Sequence, residues 1–154
     1  MKTAINGQLQ GPEGWNQASA FFAHPSSMPQ GQGKILIVKG YSTQQASIRG
    51  NHAEVVITYR ELGQIDPSLR FHQPLTSARQ ITATYLLVYA RTSANAARAN
   101  GSGTRQWRIQ NPPKLVWTGL PAAIRYVTEA RANTNNAATK KNADGTLSQL
   151  QKLQ

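Results

Sequence analysis

Alternation with a period of two dominates the middle of the chain. In NHAEVVITYRELG, Ala53, Val55, Ile57 and Tyr59 share one parity and Glu54, Val56, Thr58 and Arg60 the other, the pattern of a strand with one buried face. KILIVKGY, residues 34–41, is a β-branched run bounded by glycine and predicts a second strand. Between them TQQASIRGN ends in the turn dipeptide Gly50-Asn51, with residues 46–49 read as extended too. ARQITATYLLVYART, about 79–92, is the longest strand candidate. Ile81, Ala83, Tyr85, Leu87, Tyr89 and Arg91 fall on one face, and Thr82, Thr84, Leu86, Val88 and Ala90 on the other. At roughly 3.3 Å per residue it would exceed ~40 Å, which calls for a bend or a bulge. TRQWRIQ resumes the alternation after SANAARANGSGT, so a long antiparallel hairpin is predicted, with Gly101 and Gly103 punctuating its tip. Pro112-Pro113 ends that strand, and KLVWTG adds one more short one.

Helical spacing occurs at the two ends. Trp15, Ala18 and Phe22 predict a short amphipathic helix over about 14–24, after a Gly/Pro-rich opening and before Pro25. PSSMPQGQG then reads as a linker. In GQIDPSLRFHQP the Asp66-Pro67 pair forces an extended or turn conformation, with Leu69 and Phe71 expected to dip back into the core. Leu120, Ile124 and Val127 recur at i, i+4 and i+7 behind Pro121 and predict a helix over about 120–132. NTNNAATKKNADGT is polar and low in complexity. The expected organisation is one domain over 1–132 and a disordered or loosely packed tail over 133–154, where Leu147, Leu150 and Leu153 could add a last helical turn or two. The fold class is α+β: a strongly curved antiparallel sheet of about four to six strands packed against one or two helices.

Composition sharpens this. Of 154 residues, 17 are Lys or Arg and 6 Asp or Glu, giving a net charge of +11 and a positive field that attracts polyanions, anionic lipid and acidic proteins alike. Yet only 15% of residues are charged, and Lys140-Lys141 is the one adjacent basic pair, so no basic block marks a nucleic-acid site. The absence of cysteine excludes disulfides, thiolate nucleophiles and Cys-ligated metal. The N-terminus has no apolar run of the signal-peptide kind, so an exported or periplasmic protein would already have lost its leader, and the compartment stays open. The longest apolar runs, such as 85–90, are far below the roughly 20 residues of a membrane span.

Chemical motifs are sparse. His24, His52 and His72 lack metal-ligand spacing. There is no G-x-S-x-G elbow, and the GQG and GSG glycines lack the lysine of a phosphate loop. No cofactor is implied. Among six acids, Glu61 shares parity with Tyr59 and Ile57 and Asp66 follows in the next loop; both are expected as solvated groups paired to arginines, with a pocket base as the alternative. The most suggestive constellation interleaves Arg91, Arg105, Trp107 and Arg108 with Tyr85 and Tyr89. It suits a stacking platform for bases, and equally a core with a basic rim, the reading preferred for core-prone aromatics without an RNP-type motif.

An N-terminal helix, long curved strands and a late QWRI strand after ITATYLLVYA resemble the NTF2-like, cystatin-like α+β superfamily over about residues 14–117, with Trp107, Arg108 and Ile109 as the matching motif. That resemblance implies a helix set into a bent sheet, and members that include isomerases, dehydratases and many non-catalytic ligand-binding or dimerising domains. No position matches an established active-site motif, so no catalytic residue is carried over. The expectation is a non-catalytic binding or assembly module. Its concave pocket is lined by Tyr59, Tyr85, Tyr89 and Trp107, with Arg91 and Arg105 at the mouth, for an apolar or anionic ligand or a partner protein, a homodimer included. An NTF2-like isomerase or dehydratase using Glu61 or Asp66, and nucleic-acid binding through the basic surface, are the alternatives.

Overall fold

The computed structural model describes residues 1–10, 12–24, 34–73, 79–91, 105–111 and 117–154. The linker 25–33, the hairpin tip with Gly101 and Gly103, and the Pro112-Pro113 stop lie outside them. Helices α1 (Lys2–Leu9) and α2 (Pro12–Ser19) are followed by strands β1 (Ile35–Thr43), β2 (Ser47–Arg49), β3 (His52–Ile65), β4 (Phe71–His72), β5 (Gln80–Arg91), β6 (Arg105–Ile109) and β7 (Trp117–Gly119). Helices α3 (Leu120–Asn133) and α4 (Ala137–Gln151) close the chain. The strands form a strongly curled half-barrel in the order β6-β5-β3-β1-β7, with β2 and β4 also on β3. The fold is α+β, as expected.

Alternation decides which residues of β3 and β5 go inside. Ala53, Val55, Ile57 and Tyr59 are buried, as are Tyr85 and Leu87, and the β3–β5 register pairs Val55 with Tyr85 and Ala53 with Leu87 on the same face. Against this face pack Ala4 and Ile5 of α1, Trp15 and Ala18 of α2, and Phe22 just beyond. A second core on the opposite side joins Ile37, Ile65 and Leu69 to Ala123 and Val127 of α3 and Ala143 and Leu150 of α4. Adjacent Ile37 and Val38 point into different cores, as neighbours on a strand must.

Three expectations are corrected. The sheet is mixed, not antiparallel throughout: β7 runs parallel to β1, pairing Leu36 with Trp117, because the chain returns to the far edge before entering α3. The bend or bulge expected along 79–92 is not a bulge, for β5 keeps an unbroken register with both neighbours in the strongly curled sheet, and the bulges fall between β1 and β3, around Leu62 and Lys39. The opening residues form a separate helix, α1, folded back on α2. And the tail over 133–154 is not loose. Asn136 caps α4 by accepting from Thr139 N at 3.0 Å, and the buried Thr146 hydroxyl donates to Leu69 O at 2.7 Å while accepting from Phe71 N at 3.0 Å. Ala143 and Thr146 are small enough to let a polar helix approach the sheet and tie it to the 66–72 loop, so packing does not require a rich apolar stripe. Leu69 and Phe71 do return to the core.

Candidate functional site

The face covered by α1 and α2 continues past their cover along the β5–β6 ribbon. Its rows, read from the register, are Leu87 with Ile109, Tyr89 with Trp107, and Arg91 with Arg105. The first row is buried. There the β6 edge is closed by residues 21–23: Ile109 N donates to Phe21 O at 2.8 Å and Ala23 N donates to Ile109 O at 2.7 Å. Arg108 secures this closure by donating to Ala20 O from a largely buried position that pushes its guanidinium pKa below the usual value. One row further the cover stops. Tyr89 is 38% exposed, Trp107 is half-buried, and their ring centroids lie 5.3 Å apart at 53°, a tilted aromatic pair across two strands. Arg105 beyond them is exposed, and the backbone of Arg91 lies opposite it, its side chain being outside the described residues.

Tyr59 and Tyr85 share this parity but lie deep in the first core, both fully buried, their hydroxyls 2.7 Å apart. Four residues separate Tyr85 from Tyr89, about 13 Å along a strand. The six residues expected at one site therefore fall into two groups: a sealed tyrosine pair under the helices, and an open aromatic row with arginine at the ribbon's outer end. Tyr41 adds a bridge between sheet and helix, its ring 6.1 Å from Tyr59 and its hydroxyl donating to Asn6 Oδ1 at 3.0 Å.

The two acids singled out from sequence have separate environments. Glu61 is buried, at 4% exposure, which corrects the solvated position expected for it; the parity it shares with Tyr59 carries it inward opposite Val38. Its partner is an arginine as expected: Arg79 Nε lies 3.1 Å from Oε2, although that oxygen receives no hydrogen bond of good geometry. Arg79 went unremarked in the sequence because nothing there pairs it with Glu61; the Glu61 N to Arg79 O bond of 2.9 Å, which places it, is a tertiary feature.

Asp66 accepts at Oδ1 from the backbone N–H groups of Ser68 and Arg70 at 2.9 and 3.0 Å, and Oδ2 lies 2.9 Å from His72 Nε2. Burial alone would push its pKa up, but the hydrogen bond from His72, those from Arg70 and Ser68, and the charge of His72 together hold it below the ordinary value of 3.8. A carboxyl with a depressed native pKa adds stability that is present above its unfolded value and lost as pH falls through the native one. Asp66→Asn is therefore expected to be less stable than the parent at pH 7, with the gap closing on acidification below about pH 4. Urea midpoints at several pH values measure this, and a gap that stayed constant with pH would rule out the carboxylate as its source.

Among the described residues no group of three His, Asp or Glu side chains is placed to hold a metal ion, and no helix is long and apolar enough to cross a membrane. In comparisons with protein families, curated proteins and solved structures, none matches the chain.

Proposed function

We propose that this protein is a non-catalytic binding module of NTF2-like architecture that engages an anionic ligand or partner protein at the open end of its helix-covered face. The observation that carries the reading is the Tyr89–Trp107 pair, partly open and continued outward by Arg105, directly beyond the point where α2 and residues 21–23 stop covering the sheet. Partly exposed aromatics beside arginine are the side chains that dominate binding hot spots, because they bury large area at low entropic cost and offer fixed donors to an anion. A net charge of +11 speeds the approach of an acidic partner. The isomerase or dehydratase alternative is less well supported, since Glu61 is buried facing the exposed guanidinium of Arg79 and Asp66 is committed to its own loop.

A glutamate-rich peptide at low ionic strength is the probe. Trp107→Ala is expected to weaken its binding about tenfold, with Tyr89→Ala and Arg105→Ala in the same direction. Fluorescence anisotropy of the labelled peptide reads this out, and a Trp107→Ala protein that binds like the parent would refute the site. A single-stranded oligonucleotide bound more tightly than the peptide, with affinity falling steeply in salt, would move the conclusion to nucleic acid.

A further inference from the structure

The other face of the sheet carries a second, unrelated feature. The bulge around Lys39 places Gly40 opposite Arg60, and Arg60 in turn pairs with Gln80 of β5; the next row is Ser42, Thr58 and Thr82. These rows have the parity opposite to Tyr59, and α3 and α4 cover the sheet only near Ile37, Ile65 and Leu69, leaving a shallow groove of about 340 Å³ over β1, β3 and β5. Lys39, Ser42, Thr58, Arg60 and Gln80 bring to it two cations, two hydroxyls and an amide, and among the described residues no carboxylate lines it. Among the described residues neither Lys39 nor Arg60 has an acidic partner, and the side chains of Ser42, Thr58 and Gln80 make no hydrogen bond to protein. The nearest acid along β3, Glu61, points through to the other face and is paired there with Arg79.

Strand geometry makes the cluster compact. Neighbouring strands are about 4.8 Å apart and alternate residues on one strand about 6.7 Å apart, so Ser42, Thr58, Arg60 and Gln80 sit on one small patch of the sheet. Arg60 supplies a planar fork suited to two oxygens, Lys39 a point charge, and the hydroxyls neutral donors. Gly40 keeps the floor open: a Cβ there would meet nothing within 4 Å. We infer that this groove is a binding site for a single phosphate group, carried by inorganic phosphate or by a small phosphate monoester, independent of the aromatic row on the opposite face.

Two-dimensional amide NMR with inorganic phosphate, and in parallel with glycerol 3-phosphate, tests this against chloride at equal ionic strength. Shifts are expected at Lys39–Ser42, Thr58–Arg60 and Gln80. Arg60→Ala is expected to weaken binding about tenfold, and Gly40→Leu, whose Cβ meets nothing within 4 Å and whose side chain would occupy the groove, by a similar factor with unchanged thermal stability. Arg105→Ala, on the other face, should leave phosphate affinity unchanged while reducing peptide binding, so the two sites fail separately. Binding of inorganic phosphate alone identifies a free-anion site, and binding of both identifies a site that reads only the phosphate. Shifts centred on Trp107 and Arg105, shifts equal in chloride, or a loss of less than threefold in both Arg60→Ala and Gly40→Leu overturn the inference.

Discussion

Tyr85→Ala is expected to lower the unfolding free energy by about 3–5 kcal/mol, a large share of the roughly 5–15 kcal/mol that holds a domain of this size together. Two losses add. The ring is 1% exposed and packs in the core that joins Ile57, Tyr59 and Leu87 to Trp15 and Phe22, so truncation opens a cavity between sheet and helices. It also removes the 2.7 Å partner of the Tyr59 hydroxyl, itself fully buried. Tyr85→Phe separates the two, since it keeps the ring and deletes the hydroxyl, and is expected to cost only about 1–2 kcal/mol. Urea denaturation followed by circular dichroism measures both. If the two variants lost equal stability, hydroxyl pairing rather than packing would hold the helices on the sheet. Tyr89, two residues beyond Leu87 on the same strand, tests the converse: its ring is already partly in water, so Tyr89→Ala should cost much less stability and act mainly on binding.

The contrast between Tyr85 and Tyr89 also marks how much the sequence could reveal. Parity along 53–60 and 79–92 grouped Ala53, Val55, Ile57 and Tyr59 on one face and Tyr85 and Leu87 on one face, and these are the buried positions there, because a strand with one buried face writes its orientation into alternate positions. Parity could not say how far along that face the helices reach, and this alone separates the sealed Tyr85 from the open Tyr89. The same lack explains Glu61: its inward parity was legible, but the depth of burial and the choice of Arg79 depend on where residue 79 returns beside β3. Helix α1 was missed, and α4 was expected only as a last turn or two around Leu147, Leu150 and Leu153, for a common reason. Each is rich in Gln, Asn, Thr or Gly and contacts its core through few or small residues, Ala4 and Ile5 in one, Ala143, Thr146 and Leu150 in the other, so their apolar stripes are too thin to register as helical periodicity. The groove over β1 and β3 was hidden by the bulge at Lys39, which shifts β1 by one residue so that Gly40, not Lys39, stands opposite Arg60.

Small residues at a helix contact lead to a second large effect. Gly14→Ala is expected to destabilise by about 2–3 kcal/mol, although alanine is the better helix former by about 1 kcal/mol. A Cβ on Gly14 would overlap the carbonyl oxygen of Gly7 and come within 2.7 Å of Gln10 Cβ, and neither a helix backbone nor a side-chain root can swing away. Helices α1 and α2 must separate, which loosens Ile5, Trp15 and Ala18 in the first core and, through residues 21–23, the closure of the β6 edge. Hydrogen exchange at the Ile109 and Ala23 amides should therefore accelerate along with the fall in midpoint. Gly145 in α4 supplies the internal comparison: it is solvent-exposed, and a Cβ there meets nothing within 4 Å. Gly145→Ala is thus expected to stabilise by about 0.5–1 kcal/mol, raising the melting temperature by roughly 1–4 °C. One substitution with opposite signs at two helical positions isolates close helix approach from propensity, and a Gly14→Ala protein as stable as Gly145→Ala would mean that α1 is not seated against α2.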